Sequence, residues 1–200
     1  MLRTAVATSI EQRIGKFKSD LADNSAQTVL RKHVLFGECY SLEHERYYEL
    51  KQEIADNFAL YPNEIVMVGS GKLGFGITEK PQKPRFREFG DESDYDMAII
   101  SASLFDKIWT EVHEFRKTKP IWDTEADFKN YLFNGWIRPD KLPFEFHVRK
   151  AWFQFFNGLT KSRKYGGISI NAGLYKSWDF LEKYQLKAIN QCKNLPLKRK

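Results

Sequence analysis

Ile65-Val66-Met67-Val68-Gly69-Ser70-Gly71 and, further on, Ser93-Asp94-Tyr95-Asp96-Met97-Ala98-Ile99-Ile100 decide how this chain folds. Each holds a short apolar run, rich in branched residues and bounded by turn formers, which is the pattern of a buried strand. The first run stops at a glycine turn, and the second is entered through two acids. Side chains alternate faces along a strand, so Asp94 and Asp96 project the same way, roughly 6–7 Å apart along the backbone. Two carboxylates side by side at a strand mouth repel each other unless a cation or a basic partner lies between them. Magnesium suits that position, because it prefers oxygen ligands and bridges to substrate phosphates. The Gly69-Ser70-Gly71 turn offers phosphate oxygens its backbone N–H groups, which a Cβ would otherwise crowd. Lys72, in the same turn, adds a point charge for a phosphate. Phosphate and metal ligands together point to nucleotide chemistry.

Other readings of these glycines are weaker on physical grounds. Gly69-x-Gly71-x-x-Gly74 has the form of a dinucleotide-binding fingerprint. Gly76 and Pro81 interrupt the helix that should follow. The acidic partner of such a motif also belongs at the carboxyl end of the second strand, whereas Asp94 and Asp96 stand at the start of theirs. A Walker A loop fails because Leu73, not Ser or Thr, follows Gly71-Lys72, and the upstream glycine position is Val66. The plain structural alternative is a glycine-rich hairpin with a solvated acidic turn, SDYD serving as an Asx cap.

A Gly-Ser turn after a strand, then S-D-x-D leading into a second strand, resembles the DNA polymerase beta-like nucleotidyltransferase superfamily. The pattern GS…T…SDYD is most similar to the branch of oligoadenylate synthetases and bacterial cyclic-oligonucleotide synthases, and the resemblance is confined to this stretch. It implies an α/β (α+β) nucleotidyltransferase-like fold, a short mixed sheet with helices before and after it. It also implies transfer of a nucleoside monophosphate from a triphosphate such as ATP to a hydroxyl of an RNA end, a nucleotide or a protein. Asp94 and Asp96 would hold Mg2+ (or Mn2+), and Gly69, Ser70, Gly71 and Lys72 the outgoing phosphates. By analogy with small bacterial nucleotidyltransferases, a role in stress or antiviral defence is an expectation.

The superfamily carries a third carboxylate on the next core strand, which helps to bind a second metal and to activate the acceptor hydroxyl. If Ile168–Ala172 is that strand, it offers Ser169 and Asn171, neither of them an acid. If Phe144–Val148 is the strand, Glu145 takes the role, and Asp140 is a further candidate. Loss of a general base costs about two to four orders of magnitude in rate. The alternative function is therefore a weak or inactive nucleotidyltransferase-fold module that binds nucleotide, RNA or a partner protein.

The rest of the chain supplies the frame. Two hundred residues suit one α/β unit. Its 16 Phe, 9 Tyr and 5 Trp make the expected core unusually aromatic. The net charge of +6 admits an anionic partner without demanding one. Cys39 and Cys192 are too few for a disulfide framework or a zinc site, so they read as reduced thiols in a cytoplasmic protein. No apolar run approaches the roughly 18–20 residues needed to span a bilayer. The acid-free opening MLRTAVATS reads as the lead-in to a docked helix rather than a transit peptide, since Glu11 and Asp20 follow.

Residues 1–62 form an N-terminal helical segment, 63–175 the core, 176–192 a closing helix and 193–200 a basic tail. Helices are predicted over 10–21, then from an Asn24-x-x-Gln27 capping box to Gly37, then from Ser41 to Tyr61. Further helices are predicted after Ser103, over 124–133, from Val148 to Leu159 and over 177–192. The segment from Trp136 to Pro143 reads as turns, and Phe144–Val148 is open between strand and helix. The basic insert 78–92, the loop 161–167 and the tail are the segments that could meet RNA.

Overall fold

The computed structural model describes residues 9–79, 82–90, 92–118 and 121–195. Residues 1–8, Lys80, Pro81 and Asp91 of the insert, Lys119 and Pro120, and residues 196–200 of the basic tail lie outside the described residues.

Four strands form one mixed sheet in the order β1-β2-β4-β3. They are β1 (Ile65–Val68), β2 (Tyr95–Ile100), β3 (Trp136–Ile137) and β4 (Ile170–Tyr175). β1 is antiparallel to β2, β4 is parallel to β2, and β3 is antiparallel to β4. The two strands read from the sequence are thus direct neighbours, and the fold is the expected α+β arrangement with helices before and after a short mixed sheet.

Every residue of β1 is buried, because the sheet is covered on both faces and alternation sends its residues into two cores. Met67, Tyr95, Met97 and Ile99 sink into one core. It is closed by α3 (His44–Phe58), α5 (Ala102–Thr118) and α7 (His147–Lys161) through Leu50, Ile108 and Trp152. Val66, Val68, Ala98 and Ile100 sink into the other. That one is closed by α1 (Ile10–Asp23), α2 (Ala26–Leu30) and α8 (Trp178–Asn194) through Phe17, Val29 and Leu181. Arg31 clamps Glu182 with two bonds of 2.9 Å, tying the end of α2 to α8.

The helix boundaries differ from expectation where a side chain has better work elsewhere. Ser9 and Gln12 form a capping box on α1. Ser25, not Asn24, caps α2 by accepting from the N–H of Thr28, while Asn24 terminates α1. Ser41 does not cap α3; its hydroxyl donates to the Gly71 carbonyl at 2.8 Å. Phe144–Val148 forms no strand: Phe144 and Glu145 lie in a turn and α7 begins at His147. Trp136 to Pro143, read as turns, contains β3 and a 3-10 turn at Pro139–Lys141.

The basic insert does not hang free beside the glycine turn. Phe86 and Phe89 donate backbone N–H groups to Gly76 and Gly74. The guanidinium of Arg85 is buried and donates to the carbonyl of Cys192 at the end of α8. The loop after α7 is pinned too, since Lys164 and the Tyr165 hydroxyl both reach Glu53 of α3. Among the described residues no helix is long and apolar enough to cross a membrane.

Candidate functional site

β1 ends at Gly69, whose φ of +68° lies in the left-handed region that favours glycine. The chain then turns directly into a short helix, α4 (Gly69–Leu73), where the sequence suggested only a turn. A Cβ on Gly69 would stand 3.0 Å from Oδ2 of Asp96. The missing side chain is therefore what lets the carboxylate close on the backbone. Register explains the meeting: Val68 pairs with Asp96, and Asp96 in turn pairs with Asn171 of β4. Residues paired across a ladder share a face, so the glycine corner, Asp96 and Asn171 form one row. Asp94 immediately precedes β2, where the N–H of Tyr95 already donates to Ser169. Both acids are exposed, but of the two only Asp96 lines the cleft that opens over the row.

Gly71 and Lys72 face away from this row. A Cβ on Gly71 would meet the sulfur of Met67 at 2.9 Å, on the opposite side of the sheet. Lys72 is only 3% exposed, with its Nζ 5.3 Å from the centre of the Tyr47 ring, and burial pushes its ammonium pKa down. It is not placed to meet a phosphate at the row. This corrects the sequence assignment of Lys72, and the reason is local: one helical turn carries positions 71 and 72 round to the α3 side. Ser70 is half-buried on α4, beside Gly69. The carbonyls of α4 are held by Arg13, which donates to Leu73 at 3.3 Å, and by the backbone N–H of Tyr40, which donates to Lys72.

A cleft of about 670 Å³ opens over the row, with Gly69, Asp96 and Asn171 in its lining. Trp136, Arg138 and Tyr184 form one wall, and Phe153 and Asn157 of α7 stand on the other side of β4. β3 pairs with β4 only at Leu174 and Tyr175, so the cleft follows the length of β4 that no strand covers. Trp136 stacks on Tyr175 at 5.4 Å, and its indole nitrogen has no hydrogen-bond partner within the protein. Arg138 grips Asp140 through two bonds of 3.0 Å. Burial raises the hydroxyl pKa values of Tyr175 and Tyr184, keeping both neutral donors. Comparison with protein-family models, curated proteins and solved structures gives no match.

Glu145 is exposed in the turn before α7 and is not part of the cleft lining, so it is not brought to the acid pair. The position beside Asp96 belongs to Asn171, an amide that donates and accepts hydrogen bonds but takes no proton at neutral pH. Asp140 lines the cleft but is committed to Arg138. Among the described residues no three His, Cys, Asp or Glu side chains converge as a metal cage. Two aspartates beside a neutral amide could hold a magnesium ion only if phosphates and water supplied its remaining oxygens. Trp136 and Arg138 escaped the sequence reading because a two-residue strand leaves no periodicity to detect, and Tyr184 was legible only as a ring of the closing helix.

Proposed function

We propose that the row of Gly69, Asp96 and Asn171, with Asp94 beside it, is a Mg2+-dependent nucleoside triphosphate site that serves nucleotidyl transfer to a hydroxyl acceptor. The observation that carries this reading is the contact between Gly69 and the carboxylate of Asp96, which joins a glycine corner to an acid far away in sequence. Asp94 and Asp96 would supply oxygens for the ion, and the backbone of Gly69 and Ser70 would lie beside the phosphates. Mg2+ held there would neutralise the triphosphate and polarise its α-phosphoryl group. In the reaction the acceptor oxygen bonds to the α-phosphorus, the bond to the bridging oxygen breaks, and pyrophosphate leaves. The proton of the hydroxyl goes to solvent or to a substrate phosphate, because Asn171 can orient that hydroxyl but cannot deprotonate it.

Asn171 is also the observation that favours a second reading, a module of this fold that binds nucleotide without turning it over. Calorimetry with ATP and Mg2+, followed by an assay for pyrophosphate release, separates the two. Binding that is lost in Asp94→Asn and Asp96→Asn, together with slow release in the unaltered protein, supports transfer. Acid-dependent binding with no release supports the module. Binding and turnover indifferent to both aspartates would remove both readings.

A further inference from the structure

The geometry points to a track for single-stranded nucleic acid along α7, leading into the cleft. Arg149, Phe153, Asn157 and Lys161 recur every four residues on α7, which places them on one stripe of the helix. At 1.5 Å per residue the stripe is roughly 18 Å long, room for several nucleotides. The Arg149 guanidinium lies 5.4 Å from the centre of the Phe144 ring and 5.8 Å from that of Phe153. It is fixed there by a 2.6 Å bond to the Leu142 carbonyl. Phe144 is 75% exposed and Phe153 36%, so each ring keeps surface open for a base. Phe153 and Asn157 also line the cleft that holds Asp96.

Charge chooses the occupant. Among the described residues Arg149, Lys150, Lys161 and Arg163 make no ion pair, although neighbouring Lys164 pairs with Glu49 and Glu53. A stripe that alternates unpaired cations with an exposed ring and an amide matches a phosphodiester chain with splayed bases. A purely apolar partner would leave the cations without counter-charge, and duplex edges would not reach the rings. That the bound strand is the acceptor rests on the function proposed above; binding itself does not.

The test is fluorescence anisotropy of the full chain with labelled twelve-nucleotide oligo(A), oligo(U) and their duplex, in 50 to 200 mM salt. Single strands bind and the duplex binds more weakly. Phe153→Ala weakens single-strand binding roughly 5- to 150-fold, the loss of one base stack. Arg149→Gln and Lys161→Gln each flatten the salt dependence of log K by about 0.7. Phe36→Ala, which removes an exposed ring beyond α2, changes nothing. Asp96→Asn keeps oligonucleotide binding while losing triphosphate binding, so failure of the catalytic reading stays distinct from failure of the track. No oligonucleotide binding, equal affinity for duplex, indifference to Phe153, or capture of an acidic peptide in place of oligonucleotides would each overturn the proposal.

Discussion

The two faces of the sheet treat polar side chains in opposite ways. On one, Asp96 lies against Gly69 and beside Asn171, exposed to a cleft of about 670 Å³. On the other, three positions along from Gly69 on the same short helix, Lys72 is buried beneath α3. There its ammonium shares the ring of Tyr47 with that of Lys51, and the Tyr47 hydroxyl accepts the N–H of Met67 at 2.8 Å. Burial lowers both ammonium pKa values and pushes the Tyr47 hydroxyl up to about 12. The first face keeps its charge where a ligand can reach it. The second uses polar groups to fasten α3 to β1. Chemistry therefore follows which way a residue faces rather than its place in a motif.

The most damaging way to break the contrast is Gly69→Val. The backbone there has φ +68°, and the new Cβ would crowd Asp96. Holding a non-glycine residue in that region costs about 1–3 kcal/mol. Thermal unfolding should register that loss, and calorimetry should show triphosphate binding weakened more than tenfold. An unchanged affinity would mean that the corner takes no part in binding. Next in size is Tyr47→Phe on the buried face, which leaves the Met67 N–H without its acceptor. Denaturant unfolding should show a loss of about 1–2 kcal/mol, with nucleotide affinity unchanged within twofold. A large change in affinity would show that the two faces are not separate in function.

Lys72→Met sharpens the contrast with the opposite sign. Replacing a buried, unpaired ammonium with an apolar chain should stabilise the protein by roughly 1 kcal/mol at neutral pH. The folded state disfavours the protonated amine, so the unaltered protein gains stability as pH rises from the lowered folded pKa toward the unfolded value near 10.5. The advantage of the variant should therefore shrink over that alkaline window. A destabilised variant, or one that loses nucleotide binding, would return Lys72 to the phosphate site.

How much of this was legible depends on the length of each signal. β1 and β2 carried apolar runs with sharp boundaries, and their pairing brought Gly69 and Asp96 together as expected. β4 was visible as an alternating segment, although its span of Ile170–Tyr175 lies further along than the expected Ile168–Ala172. Glu145 was misplaced because Phe-Glu-Phe-His-Val alternates like a strand, yet its aromatic residues serve the start of α7, where Phe146 is buried. Lys72 was misplaced because a glycine turn and the first turn of a helix look alike in sequence but aim their third and fourth residues differently. The far wall of the cleft rests on a strand of two residues and on stacking between distant rings, and neither leaves a local pattern.

The smallest predicted effect bears most directly on the row itself. Asn171→Asp sets a carboxylate opposite Asp96 in adjacent strands, where like charges cost about 0.2–1 kcal/mol. Without a divalent ion the variant should unfold at a slightly lower temperature than the unaltered protein. Mg2+ with a triphosphate should abolish the deficit or reverse it, because a third oxygen anion strengthens a hard-ion site while a neutral amide does not. The same addition should shift the unaltered protein less. If the deficit persists at saturating Mg2+ and triphosphate, the two strands do not share an ion. Asn171 would then be only a neutral spacer that keeps Asp96 from a like-charged neighbour, and the acid pair would have to act without the strand beside it.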